Sequence, residues 1–391
     1  MSSKRLTIAL GLLLFLPATA GAQSLFSGGG LGLLSDPVDA RSRALGSTGV
    51  GTSGWHLLPT DPAAAAGLVL PTVSASAQPV NLQIEGGADA GGTRFPGFGV
   101  AYPFGRHIIS VQFGSFLEQG WRVRTERTIG MPGAPDGSPS VTTRDLYEAS
   151  GGVGQFRLGW ATRIGSSVAV GVNAGSYSGG VERRFLRELN PAEVGPDVEP
   201  FRTAGRWRAS GPVVSAGVIW DPSVLYRVTG AVDWSGDLRL DPVAPTPGGV
   251  REYSMPLTVR LGGEFVLTPG LALHTGLSRA DWSDTDRDLG GDAARGVAWG
   301  YGGGLELAGP SIRGRGLPLR VGVRHQDLPF HFDGAETRER SFSFGLGSNL
   351  SIAEAMPVAR FDIGLERGDR DAGPLSESFW RTTISLRVAG G

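Results

Sequence analysis

Residues 257–267 read LTVRLGGEFVL, and this stretch decides the fold class. Apolar side chains such as Leu261 and Phe265 alternate with polar ones such as Arg260 and Glu264. Successive side chains of a strand point to opposite faces, so a period of two predicts a strand with one apolar face. From about Thr72 onward the same alternation recurs, most clearly over 297–307, 317–324 and 380–388. An all-β fold is therefore predicted.

The connections between these strands follow a regular rhythm. Short turns are predicted near 105, 165–166, 221–222, 268–270, 309–316 and 353–354, and longer polar segments over 86–95, 128–145, 182–208, 240–254, 284–295, 329–339 and 368–376. A soluble sandwich also alternates, but outer-membrane barrels combine short turns at one end with long loops at the other. The pattern predicts a transmembrane antiparallel β-barrel of about 14 strands over residues 72–391.

Tryptophans support the membrane interpretation. Such rings favour the two membrane interfaces, although a soluble core could also hold them. Six of them fall in or at the ends of predicted strands: Trp160, Trp220, Trp234, Trp282, Trp299 and Trp380.

The first residues resemble an export signal. Lys4 and Arg5 precede an apolar stretch over 6–16, and small residues lead to a favoured cleavage point after Ala22. Residues 1–22 are therefore predicted to be a signal peptide. Export together with the predicted barrel indicates that the chain is located in the bacterial outer membrane. The chain has 391 residues, 63 Gly and no Cys.

Composition also narrows the function classes. A net charge of -1 provides no basic field for nucleic acid. Without Cys and with five His, there is little material for metal or nucleophile chemistry, and we expect neither a cofactor nor a bound metal. The chain is not expected to be an enzyme.

Residues 23–71 do not alternate, yet they carry short motifs. Arg43-Ala44-Leu45-Gly46, Asp61-Pro62-Ala63 and the Asp-Trp-Ser segments at 233–235 and 281–283 resemble motifs of the FadL-type outer-membrane superfamily of long-chain fatty-acid and hydrophobic-compound transporters. That superfamily includes related secretion-associated barrels. The match departs from the family pattern, with Asp61 in place of Asn and two extra residues before Leu68.

The resemblance implies an N-terminal hatch, or plug, over residues 23–71, with Arg43, Asp61, Pro62 and Ala63 as its marker residues. It also implies porin-like, passive uptake of hydrophobic or amphipathic, fatty-acid-like molecules. The alternative is a non-transport barrel that serves as a structural or docking partner for a secretion or surface assembly. Expected partners are outer-membrane lipid and lipopolysaccharide, a hydrophobic small-molecule ligand, and a possible protein partner in the membrane.

The polar faces of the strands predict a charged lumen. Charges that line a narrow barrel must pair or stay hydrated, so the set is either a structural ladder or a polar path with carboxylate-binding arginines. The predicted lumen-lining residues are Arg157, Arg227, Arg260, Glu264, Arg320, Arg324, Arg360 and Asp362.

Three loop features complete the set of candidates. Phe185, Leu186 and Leu189 are predicted to form a short amphipathic helix, which is either an external capture loop for ligand or a helix packed on its own loop. His325, Asp327, His331 and Asp333 form a polar rim with little to suggest catalysis. Five Asp residues over 281–292 could gather calcium, but the spacing does not fit a helical calcium loop.

Overall fold

The structure is a computed structural model, which describes residues 24–54, 56–87, 89–130, 140–194, 198–312, 315–353, 356–373 and 375–390. The predicted signal peptide over 1–22 lies outside this range. Within the described residues, no helix has the length and apolar character needed to cross a membrane.

The strand quoted above shows how the alternation is used. Leu261 is 51 % exposed and Leu267 is 52 % exposed, whereas Arg260 and Glu264 are largely buried. The apolar face therefore points outward and the charged face inward, the reverse of a water-soluble sheet. This inversion excludes the soluble sandwich.

In the described part of the chain, strands follow one another and are joined by turns, loops and short helical segments. The strands are β1 Leu33–Leu34, β2 Thr72–Ile84, β3 Ala90–Phe104, β4 His107–Glu118, β5 Trp121–Gly130, β6 Ser140–Ile164, β7 Val168–Leu189, β8 Phe201–Ser210, β9 Pro212–Ser223, β10 Tyr226–Ser235, β11 Leu238–Pro242, β12 Arg251–Tyr253, β13 Thr258–Thr268, β14 Leu271–Asp281, β15 Val297–Leu307, β16 Ser311–Ile312, β17 Arg315–Gly316, β18 Leu319–Asp327, β19 Arg338–Ala353, β20 Met356–Ala372 and β21 Leu375–Ala389. The helical segments are η1 Leu25–Gly28, α1 Ala40–Ala44, η2 Pro62–Gly67, α2 Pro191–Val194 and α3 Ser283–Asp288.

The sheet closes on itself at β2, which pairs with β3 and β21 in the registers Thr72↔Ala101 and Thr72↔Ala389. In four places, two consecutive strands together form one strand of the barrel wall. These pairs are β4 with β5, β8 with β9, β10 with β11 and β12 with β13. The predicted antiparallel barrel of 14 strands is confirmed. Among the described residues, closure pairs the first wall strand with the last, as a barrel in a membrane requires.

The two ends of the barrel differ, although less in loop length than the sequence suggests. We call the end with turns at 105–106, 165–167, 224–225 and 269–270 the lower end, and the opposite end the upper end. Much of the predicted long upper loops is strand: β20 runs to Ala372 and β21 begins at Leu375, so the segment predicted as a loop over 368–376 is largely strand. Strands β6 and β7, with 25 and 22 residues, are far longer than the roughly 10 residues that a membrane crossing needs, and they project beyond it.

The prediction of a helix at Phe185, Leu186 and Leu189 is wrong for this reason, whereas a role in ligand capture stays a prediction. Phe185, Leu186 and Leu189 lie on the upper part of β7, where cross-strand hydrogen bonds to β6 and β8 outcompete a local helix. Phe185 packs against Tyr147 and Phe201, with ring centroids 4.8 and 6.1 Å apart. Because successive strand residues face opposite sides, Leu186 does not share the face of Phe185.

The N-terminal segment, residues 24–71, lies against the inward face of the wall. Helix α1 contacts β18 to β21, and η2 contacts β4, β6, β7 and β9. Asp39 and Asp61 cap these two helices by accepting hydrogen bonds from the backbone N–H groups of Ser42 and Ala64. Gly46, with φ +61, lies so close to the Val323 carbonyl that a side chain would not fit.

The tryptophans fall into two groups. Trp160, Trp220, Trp234, Trp299 and Trp380 are outward-facing and about half exposed. Trp282 is the exception, since it is only 2 % exposed and packs edge-on against Phe330 at 5.3 Å. The prediction of an interfacial ring at Trp282 is wrong, because this residue follows β14 and turns into the lumen.

Candidate functional site

All eight residues predicted to line the lumen face inward, and none has a side chain more than 20 % exposed. They are Arg157 on β6, Arg227 on β10, Arg260 and Glu264 on β13, Arg320 and Arg324 on β18, and Arg360 and Asp362 on β20. The structure distributes them over several ion-pair groups, most of which also include residues of the N-terminal segment.

The first group joins α1 to the wall. Arg41 donates two hydrogen bonds to Glu306, at 2.7 and 2.9 Å, and Arg320 donates to the same carboxylate at 2.5 Å. Arg320 also donates to Asp362 at 2.8 Å. Arg387 in turn lies 2.9 Å from Asp362 and 3.4 Å from Asp39. Charges of both signs therefore alternate between segment and wall.

The second group runs upward along β19 to β21. Arg43 of α1 lies 3.8 Å from Glu366, which also lies 3.3 Å from Arg381. Arg381 and Arg370 both contact Glu339, at 3.3 and 2.7 Å. Buried arginines of this kind need such partners, because an unpaired buried charge is strongly destabilising.

The third group lies on the opposite side of the barrel. Arg157 donates to Asp233 and to the Pro59 carbonyl, at 2.8 and 2.9 Å, and Arg260 donates to the other oxygen of Asp233. Asp36 similarly pairs with Arg324 on β18. The N-terminal segment is therefore tied to the wall on opposite sides of the barrel.

The ion-pair network shifts the pKa values of two groups, Asp39 at the start of α1 and His56 in the following loop. Burial alone would raise the pKa of Asp39, but Arg387 and His56 hold it well below its usual range. Burial and the neighbouring Arg387 lower the pKa of His56 to about 4. Asp39 is therefore charged and His56 neutral near pH 7.

Asp61, the predicted marker of the second hatch motif, behaves differently. Burial raises its pKa to about 7, although the Ala64 N–H and the charge of Arg227 act in the opposite direction. Pro62 and Ala63, which follow it, are also buried. The η2 helix thus begins at a carboxyl group whose charge changes near neutral pH.

A narrow cleft with a cavity volume of about 80 Å³ lies above the Arg157–Asp233–Arg260 group. Its polar floor is formed by that ion-pair group. Its apolar walls come from Leu34 and Pro37 of the segment and from Phe116, Met255, Pro256, Ala280, Trp282 and Ala298 of the barrel. This combination fits a small apolar or amphipathic molecule.

A second space, which we call the upper vestibule, lies nearer the upper end of the barrel. Its apolar residues are Leu31, Val181, Trp207, Leu240, Tyr253 and Leu289. Leu31, Leu240, Tyr253 and Leu289 belong to the same apolar cluster as Met255 and Trp282 of the cleft. Residues of one apolar cluster therefore line both the vestibule and the cleft.

Two arginines, Arg183 and Arg251, also face the vestibule. Arg251 lies 5.6 Å from the Trp207 ring, and Arg183 donates to Gln119 at 3.3 Å. Among the described residues, neither guanidinium has a carboxylate within ion-pair distance, and Asp288 on the same wall instead accepts a hydrogen bond from the Ser254 N–H. The vestibule thus offers positive charge next to aromatic surface.

At the lower end, a mouth is lined by Arg163, Asp221, Arg227 and Glu264. Asp221 bridges Arg163 and Arg227 at 2.8 and 2.9 Å. Between mouth and cleft, Val50 covers Gly262 so closely that a side chain at 262 would collide with it. The segment around Val50 therefore separates the two spaces.

The wall itself has a gap beside the cleft. Pairing of β3 with β4 stops at Gly97↔Gly114. Towards the upper end, β3 continues to pair with β2 as far as Ala90. The gap is lined by Phe95, Phe113 and Leu117, and Ser35 of the segment lies at its inner side. Ser35 and Ser115 share a hydrogen bond with their Oγ atoms 2.8 Å apart.

Of the remaining candidates, His325 and Asp327 do come together, with Nε2 3.5 Å from Oδ1. His325 stacks on Tyr301 on the outside of the barrel, whereas His331 lies near the Asp292 carbonyl in an upper loop. Among the Asp cluster, Asp286 accepts from the N–H groups of Ala293 and Ala294. Within the described part of the chain, no group of three or more potential ligands is arranged to hold a metal.

The apolar lining is the feature that the sequence reasoning missed. Leu34 lies in a stretch without alternation, and Met255 and Trp282 lie next to loops rather than within regular strands. A usable signal was the density of large apolar residues at the upper strand ends, where a polar inward face was expected.

Neither a family model nor a curated protein sequence matches the chain. Solved structures do. The toluene transporter TbuX of Ralstonia pickettii has a TM-score of 0.59 at 13 % identity, with 92 % of this chain and 99 % of that chain covered. The monoaromatic hydrocarbon channel CymD gives 0.57 at 15 % identity, covering 90 % and 97 %.

A FadL homologue of Pseudomonas aeruginosa also aligns, with a TM-score of 0.54 at 12 % identity over 91 % of this chain and 99 % of that chain. The chain has the FadL-type channel fold. The resemblance predicted from the short N-terminal motifs is thereby confirmed for the fold. At these identities the similarity concerns the fold alone. The evidence on function therefore comes from the residues that line the cleft and the vestibule.

Proposed function

We propose that the chain is an outer-membrane channel for passive uptake of hydrophobic or amphipathic small molecules. The observation that supports this most is the apolar cluster that lines parts of both the vestibule and the cleft, inside a barrel whose inner wall is otherwise charged. Burying apolar ligand surface against such a lining is favourable at roughly 25 cal/mol per Å². Neighbours of the same fold are described as toluene transporters, so a monoaromatic hydrocarbon is one ligand class.

The direction of movement follows from the arrangement. A ligand enters the vestibule, passes the apolar cluster, and stops in the cleft above Arg157 and Asp233. Leaving the cleft requires displacement of the segment near Val50 towards the lower mouth, or passage through the wall gap beside Ser35. Concentration difference alone drives both routes.

We assign residues 23–71 as the hatch. Arg43 holds it to Glu366, and Asp61, Pro62 and Ala63 form the buried start of η2. These contacts support a segment that blocks the lumen at rest. Its many ion pairs favour a partial shift over complete release, because each broken buried pair is costly.

The outward apolar belt and the five exposed tryptophans support placement in the outer membrane, with the export signal over 1–22. The absence of enzymatic activity and of a cofactor remain predictions. The docking alternative also remains a prediction, and the lining argues for a ligand rather than for a protein partner.

Binding of an apolar fluorescent probe, N-phenyl-1-naphthylamine, to the purified barrel tests the proposal. We expect toluene and dodecanoate to displace the probe. The Phe116→Ala variant, which removes an aromatic wall of the cleft, should bind about tenfold more weakly. Phe98→Ala is the matched control, because Phe98 points outward from β3 and is half exposed.

If the wild-type barrel binds neither probe nor ligand, or if both variants lose binding equally, the proposed function is wrong. The hatch is tested in the same assay with Asp61→Ala, which removes the cap of η2 and should change the rate of ligand release. A stable protein that co-purifies in the absence of ligand binding would favour the docking alternative.

A further inference from the structure

The outside of the barrel carries a cleft at the upper ends of β15, β18 and β19. Three arginines line it, Arg295, Arg338 and Arg340, together with the rings of Trp299 and Tyr301. It is separate from the lumen, because Tyr301 and Trp299 are outward-facing and about half exposed.

The strand register places its central residues in one row. Tyr301 pairs with His325, and His325 pairs with Arg340, so the three side chains lie next to one another across three strands. The His325 and Tyr301 rings stack, with centroids 4.8 Å apart and planes 26° apart. The row therefore places two stacked aromatic rings next to a guanidinium.

The charges in the cleft do not cancel. Arg295 pairs with Asp327 at 2.6 Å, and Arg338 pairs with Glu336 at 3.1 Å. Arg340 has no ion-pair or hydrogen-bond partner among the described residues, although Asp369 is its cross-strand neighbour. One positive charge is therefore left over, beside two others whose partners are acidic side chains at the rim.

Directly below this row, the outward surface becomes apolar. Val323 is 57 % exposed, Phe342 44 % and Phe344 52 %. Gly303 lies in register with Val323 and leaves a shallow depression between Tyr301 and Leu305. The depression continues the cleft downward along the barrel wall.

We propose that this cleft binds the phosphorylated headgroup of a membrane lipid, with an acyl chain lying along the depression at Gly303. Arginine binds phosphate through paired, charge-assisted hydrogen bonds, and aromatic rings favour the headgroup level of a bilayer. The apolar surface below distinguishes a lipid from a free phosphate compound. The proposal rests on the placement of the barrel in the outer membrane.

Native mass spectrometry of the delipidated barrel, titrated with diphosphorylated lipid A or with phosphatidylcholine, tests this site. We expect one lipid A to stay bound at activation energies that remove phosphatidylcholine. Arg340→Ala should weaken lipid A binding about tenfold, and Arg340→Lys, which keeps the charge, should weaken it less. Arg124→Ala is the control, since Arg124 is an exposed arginine on β5, outside the cleft.

Equal binding of lipid A and phosphatidylcholine would overturn the proposal, as would equal losses in Arg340→Ala and Arg124→Ala. Inorganic phosphate at millimolar concentration should not displace lipid A, and displacement would assign the site to phosphate alone. Binding of the apolar probe inside the lumen is measured on the same samples, so failure of the lipid site is distinguished from failure of the proposed transport function.

Discussion

Arg41 and Glu306 form a two-hydrogen-bond ion pair between the N-terminal segment and the barrel wall, with Nε–Oε2 at 2.7 Å and Nη2–Oε1 at 2.9 Å. The two residues are 265 positions apart in the chain. Paired hydrogen bonds of this geometry fix orientation as well as position. The pair therefore sets where α1 sits relative to β15, and it is a natural point at which to loosen the segment.

Replacing Glu306 with Gln should loosen the segment without opening the barrel wall. Arg41 and Arg320 would both lose a carboxylate, and we expect a cost of about 3 kcal/mol in the free energy of unfolding. Hydrogen exchange over residues 40–54 should become faster. The control is Glu148→Gln, which breaks an ion pair with the exposed Arg122 and should cost less than about 1 kcal/mol.

The hold of η2 on the wall should depend on pH through Asp61. Its pKa is raised to about 7 in the folded protein, so the protonated form is favoured there. The contribution of Asp61 to the stability of the folded segment is complete below the ordinary carboxyl pKa of about 4. It decreases as the pH rises towards 7 and is lost above pH 7. Hydrogen exchange over residues 61–67, corrected for intrinsic rates, should show less protection at pH 8 than at pH 5.

Asp61→Asn provides the comparison for this pH effect, because the amide still accepts the Ala64 N–H but cannot ionise. Its protection should be the same at both pH values. His56 does not contribute to this difference between pH 5 and pH 8, because its pKa of about 4 lies below both values. A wild-type protein and an Asn variant with the same pH response would refute the assignment to Asp61.

The two vestibule arginines should affect amphipathic anions more than neutral ligands. Replacing both Arg183 and Arg251 with Gln should weaken dodecanoate binding about tenfold and leave 1-dodecanol binding unchanged, because only the carboxylate gains charge-assisted hydrogen bonds. Competition against N-phenyl-1-naphthylamine measures both affinities. A parallel loss for the acid and the alcohol would mean that the arginines only shape the vestibule.

The strands and the closed barrel could be predicted because alternation is a local signal. In 257–267, each inward polar residue has an outward apolar neighbour, and membrane lipid requires that arrangement all round the ring. The eight charged lumen residues follow from the same periodicity, since they occupy the polar positions of regular strands.

The features that sequence reasoning missed depend on distant contacts or on irregular backbone. No local sequence pattern indicates that Arg41 and Glu306 form an ion pair. Trp282 follows the last residue of β14, where alternation no longer specifies a face. Phe185 has helical spacing to its neighbours, but pairing with β6 and β8 overrides this weak local preference.

Engineered disulfides allow movement of the segment to be tested directly, because the chain has no Cys. A Ser35→Cys, Ser115→Cys double variant would join the segment to β4 beside the wall gap, where the two Oγ atoms are 2.8 Å apart. Thr128→Cys with Thr142→Cys, which lie directly opposite each other on β5 and β6, would cross-link two neighbouring wall strands and serves as the control.

Uptake of labelled toluene by whole cells that express these variants is the most direct measurement. In the oxidised Ser35→Cys, Ser115→Cys variant, uptake should fall to that of cells without the barrel, and reduction with dithiothreitol should restore it to the wild-type rate. The wall-strand control should transport normally in both states. Wild-type uptake by the oxidised variant, with the disulfide verified by gel mobility, would contradict passage controlled by the N-terminal segment.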